Sequence, residues 1–114
     1  MHTSSIKTVI KVLALLIISA LLEVGGDAGI RTGLLGKKEG FLLGALMLIT
    51  YGVVVNLSRL DFSKLMGIYI AVFFVVAQAI SVVVFKEKIS LPVYIGGAFI
   101  IIGGCVMAFW KKAA

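Results

Sequence analysis

Residues 12–34 read VLALLIISALLEVGGDAGIRTGL, an apolar run whose only charged residues are Glu23, Asp27 and Arg31. A helix needs about 20 apolar residues to cross the roughly 30 Å hydrocarbon core of a bilayer, and this run supplies them. Outward from it the pattern repeats. Gly40–Leu57, Leu65–Phe85 and Pro92–Trp110 are further apolar runs, set apart by the short polar connectors Gly36–Glu39, Ser58–Lys64 and Lys86–Leu91. Backbone amides in lipid must be satisfied within the chain, and so short a chain cannot close a barrel, so the runs are helices. Connectors this short allow little more than a reversal. The expected fold is therefore all-α: four transmembrane helices, at about 12–34, 40–57, 65–85 and 92–110, in one domain over residues 1–114. Ser90 is placed to cap the fourth helix and Pro92 falls in its first turn, where a missing N–H costs nothing.

Composition agrees. Of 114 residues, 61% are hydrophobic and 14% charged, against about 45–50% and about 25% in soluble domains. Mean hydropathy is +1.20. The net charge of +6 suits a nucleic-acid partner only if the cations cluster, and they do not. Lys7, Lys11, Lys37, Lys38, Arg59, Lys64, Lys86, Lys88, Lys111 and Lys112 punctuate the ends of apolar runs, where lipid headgroups meet them. Membrane lipid, and no nucleic acid, is the expected partner. With Cys105 as the one cysteine and His2 as the one histidine, neither an intramolecular disulfide nor a metal cluster can be built, and no metal or cofactor is expected. Lys7 and Lys11 ahead of an apolar stretch also suit a signal peptide, but Glu23-Val24-Gly25-Gly26-Asp27 is no small-residue cleavage site.

Glu23 falls mid-run, where a carboxylate is most expensive. Such acids face a bundle interior or a wet cavity and mark ion or substrate paths; the alternative is a structural hydrogen bond. Asp27 and Arg31 follow at one-turn intervals, forming a charged stripe on one helical face. Either Asp27 and Arg31 pair at the membrane edge, or Asp27 lines the same cavity as Glu23 with Arg31 setting its charge. Gly25, Gly26, Gly29 and Gly33 leave this helix thin enough for a neighbour to approach closely. Gly96-Gly97 and Gly103-Gly104, a heptad apart, suggest a dimer seam on the fourth helix. Tyr69 can hold a cation or simply pack. Phe73 and Phe74 read as packing or lipid-facing, Asn56 and Gln78 as bridges between helices, Tyr94 and Trp110 as interfacial anchors, and Cys105 as a small core residue.

The pattern resembles the small multidrug resistance (SMR) family of the drug/metabolite transporter superfamily, over nearly the whole chain. Leu22-Glu23-Val24-Gly25-Gly26 resembles the signature around that family's first-helix Glu, and Arg31 falls where a basic residue often closes the helix. Tyr51-Gly52 resembles its second-helix Tyr-Gly, and Gly67-Ile68-Tyr69-Ile70-Ala71 its third-helix stretch. Phe85–Gly104 resembles the closing helix, and the Glu23-Val24-Gly25-Gly26 spelling is nearest the YnfA-like branch. The chain departs at Val72, where the family has Trp, at Phe73-Phe74-Val75-Val76 in place of a Gly-containing hinge, and at Asp27.

The resemblance implies an integral protein of a bacterial or archaeal inner membrane, working as a homodimer and not as an enzyme. Its implied function is proton-coupled export of small cationic or lipophilic substrates, with proton and substrate competing at Glu23. Arg31, Tyr51 and Tyr69 would join Glu23 in the substrate and proton site, and Asp27, placed by its one-turn spacing from Glu23 and not by the resemblance, would add a second carboxylate to it. Lys7, Lys11, Arg59, Lys64, Lys111 and Lys112 would share one membrane side, and Lys37, Lys38, Lys86 and Lys88 the other. So slight a bias favours dual topology and an antiparallel dimer. The rivals are a flippase subunit or regulator for polyprenyl-linked or other lipids, and a non-transporting membrane packing partner.

Overall fold

The computed structural model describes residues 2–110, with side chains from Ile6 onward; His2, Lys111 and Lys112 therefore contribute no described side chain. The described residues form four α-helices: α1 (His2–Leu34), α2 (Glu39–Val55), α3 (Phe62–Val83) and α4 (Leu91–Phe109). Three of them, α1, α3 and α4, are long and apolar enough to cross a membrane, and the chain is read as a membrane protein. At 17 residues, or about 25 Å, α2 is shorter than the hydrocarbon core. The chain divides into two compact units, Met1–Arg59 and Leu60–Ala114. Each is a helical hairpin.

In the first hairpin α1 begins ten residues before the expected Val12. Lys7 and Lys11 mark a change of solvent, but both are good helix formers, and no Gly or Pro intervenes to stop the helix. The hairpin turns at Gly36, whose φ of +119° lies in the region that side chains avoid. The Lys37 N–H returns to the Thr32 carbonyl at 3.2 Å and ties the turn to α1. Gly36→Ala is expected to cost about 1 kcal/mol or more, read as an earlier midpoint in detergent unfolding, although space is open around that Cα. At the far end α2 stops at Val55 rather than Leu57 because Asn56 turns its side-chain amide back onto the Gly52 carbonyl at 2.8 Å. That is local competition for the backbone, not the bridge between helices expected of Asn56. Ser19 is wholly buried, and its hydroxyl is likewise satisfied by the Leu15 carbonyl of its own helix at 2.8 Å.

The second hairpin closes differently. Its reversal uses Lys86 at φ +57°, a position where glycine is usual. The Glu87 N–H reaches back to the Ser81 carbonyl at 3.1 Å, and the Ser81 hydroxyl donates to the Glu87 carboxylate at 2.8 Å. This double tie fixes the end of α3. Ser90 does stand at the start of α4 with extended dihedrals, and Pro92 lies in the first turn, but the Ser90 side chain makes no capping bond. Its carbonyl takes the Val93 and Tyr94 N–H groups instead.

Gly97 and Gly104 are buried, and an added Cβ would strike the Phe74 ring at the first and Ala71 at the second, both on α3. Of the four glycines expected at a dimer seam, Gly97 and Gly104 thus lie against α3 of the same chain. One residue along a helix turns a side chain by about 100°, so each glycine pair divides: Gly97 and Gly104 pack within the chain, while Gly96 and Gly103 face open space. Cys105, beside this contact face, is exposed rather than part of a core.

Candidate functional site

The site is set by the spacing of glycines on α1 and α2. An added Cβ at Gly29 would stand 2.9 Å from the Gly44 Cα, one at Gly26 would meet Leu48, and one at Gly33 would meet the Phe41 ring. The helices therefore run antiparallel with Phe41 level with Gly33, Gly44 with Gly29 and Leu48 with Gly26. Backbones this close need small residues along the seam, the usual device for joining helices where lipid offers no hydrophobic drive. The register continued by one turn brings Tyr51 to the level of Glu23.

There the Tyr51 hydroxyl donates a hydrogen bond to the Glu23 carboxylate. Both side chains are half-buried. Asp27, a turn further along α1 and exposed, lies within electrostatic reach of the same phenol. Arg31 is exposed a turn beyond. The first hairpin thus assembles Glu23, Tyr51 and Asp27 from two helices. A phenol O–H to an ionised carboxylate is a charge-assisted bond, roughly twice as strong as a neutral one. The group so formed can take up a proton or a cation.

Tyr69 belongs to the second unit, where it is 4% exposed. Its ring centroid lies 6.0 Å from that of Phe73, tilted by 49°, a favourable aromatic pair along α3. Read residue by residue, the sequence marks Glu23 as the costly acid and sets Asp27 and Arg31 on its own helical face, but offers no partner for it from another helix. The missing signal was register. Glu23 and Tyr51 each stand about three turns from the connecting loop, so a tight hairpin puts them opposite one another. Comparison of the chain with protein-family models, with curated proteins and with solved structures finds no match.

Proposed function

We propose that this chain is a proton-coupled exporter of small cationic or lipophilic molecules, acting in the manner of the small multidrug resistance family. The observation that carries the proposal is the Glu23 carboxylate held by the Tyr51 hydroxyl within an apolar helix. An ionisable side chain is retained in such a helix where it handles charge, and a carboxylate bonded by a neutral donor keeps its capacity for a proton or cation. Proton and substrate then compete for one carboxylate, so that loading either releases the other and a proton gradient drives efflux. In this scheme α2 is the fourth span, and Gly96 and Gly103 are available to an antiparallel second copy in a bacterial or archaeal inner membrane.

The test is transport by purified protein reconstituted in vesicles. Addition of a guanidinium or quaternary ammonium compound should release protons and dissipate an imposed proton gradient. Translocation of a labelled lipid without proton release would replace export by the flippase alternative, to which the exposed Asp27 and Arg31 are suited. Neither activity would leave a packing partner for another membrane protein.

A further inference from the structure

From Leu34, where α1 ends at the Gly36 turn, three ionisable side chains descend one face of the helix at successive turns. Arg31 stands about 4.5 Å along the axis from Leu34, Asp27 about 10 Å and Glu23 about 16 Å, the last about half the thickness of the hydrocarbon core. Lys37 and Lys38 in the turn mark the membrane edge above them. Burial follows the same order: Arg31 and Asp27 are exposed, and Glu23 is half-buried.

In the other direction the hairpin is closed. Residues 12–22 include no ionisable side chain, over a length of about 16 Å. Leu16, Ser19 and Ala20 are wholly buried, and the register that pairs Tyr51 with Glu23 sets Val55, also buried, at the level of Ser19. The one hydroxyl in this stretch, that of Ser19, is taken up by the Leu15 carbonyl. Polar steps therefore lead from Glu23 only toward the loop. Tyr51 stands beside the first of them: its hydroxyl donates to Glu23, and Asp27 lies within electrostatic reach of it. The other titratable residue of α2 is Glu39, at its far end.

We infer that Asp27 is the way station through which protons pass between water at the loop end of the first hairpin and Glu23. In each transfer the O–H bond on one carboxyl breaks as one forms on the other, and the negative charge moves the opposite way. The two residues lie about 6 Å apart along the axis, a gap that one water or the Tyr51 hydroxyl can carry a proton across. Chains of ionisable side chains inside a membrane are the usual means of moving protons. The inference rests on the export reading, to which it adds the path of the proton. In an antiparallel pair the two copies would open one such path to each face of the membrane.

The experiment uses the full chain reconstituted in vesicles and times the proton release that follows mixing with a quaternary ammonium compound. Asp27→Asn should slow that release by about 100-fold, the lower end for loss of a placed proton-transfer group. Asp27→Glu should recover most of the rate. Formate, a small acid able to enter the same path, should rescue Asp27→Asn but not Glu23→Gln. A slow Asp27→Asn that formate does not rescue assigns Asp27 to structure and overturns the proposal. Release at the wild-type rate by Asp27→Asn, with Glu23→Gln inactive, overturns it too but leaves export standing; no release by the wild type removes both. The path is also read without transport, in a Cys105→Ser background with a membrane-impermeant methanethiosulfonate reagent on both sides of the bilayer. Asp27→Cys should react and Ser19→Cys should not. An unreactive Asp27→Cys places that position in lipid, and a reactive Ser19→Cys opens the far side; either result removes the way station.

Discussion

Gly44→Ala is expected to loosen the first hairpin and to part Tyr51 from Glu23. An added Cβ at Gly44 would lie 2.7 Å from the Gly26 carbonyl oxygen and 2.9 Å from the Ile30 nitrogen. Both are backbone atoms of α1, so no side chain can swing aside and the helices must separate. Overpacking of this kind costs about 1–3 kcal/mol, and a backbone obstacle argues for the upper end. Tyr51 rides on α2 two turns beyond Gly44, and its hydroxyl bond tolerates little displacement. Gly52→Ala is the control: it lies on the same helix, an added Cβ there meets nothing within 4 Å, and alanine is the better helix former. Titration with a denaturing detergent should show Gly44→Ala unfolding well before Gly52→Ala. Paired spin labels at the exposed positions Leu34 and Leu42 should move apart in the first variant only. Equal stability of the two would mean that the glycine seam does not set the helix spacing.

Helix class and approximate spans are legible in hydropathy, because lipid leaves the backbone no alternative. Helix ends are less so, since they answer to local chemistry that hydropathy does not register. Lys7 and Lys11 reveal where the solvent changes, yet α1 runs straight through them. Asn56 ends α2 with its own side chain. Lys86 occupies a left-handed turn that no pattern at that position announces. The glycines of α4 show a different limit. Gly96 and Gly97 are indistinguishable in sequence, and only the course of α3 decides that Phe74 covers one of them. The site was half visible: an acid in an apolar run stands out, whereas Tyr51 becomes its partner only once the hairpin register is known.

Glu23→Gln is expected to keep the hairpin and abolish proton-linked transport. Glutamine has the same shape, and its carbonyl can still accept the Tyr51 hydroxyl, so the contact between α1 and α2 has no reason to fail. What disappears is the charge, and with it the exchange of a proton for a cation. Detergent unfolding should therefore move little, while substrate-driven proton release falls to the level of empty vesicles. Tyr51→Phe makes the complementary change: the carboxylate stays and its donor goes. Hydrogen bonds to charged groups contribute about 1.5–3 kcal/mol, which corresponds to roughly 10–150-fold in an equilibrium constant. Cation affinity at the site should thus shift in Tyr51→Phe without loss of the exchange itself. In the double variant Tyr51→Phe should have no further effect on proton release, because the carboxylate through which it acts is already gone. Full proton-linked transport by Glu23→Gln would remove this carboxylate from the mechanism. Additive effects of the two substitutions on pH-dependent ligand binding would separate the residues, leaving their hydrogen bond as part of the packing of α1 on α2.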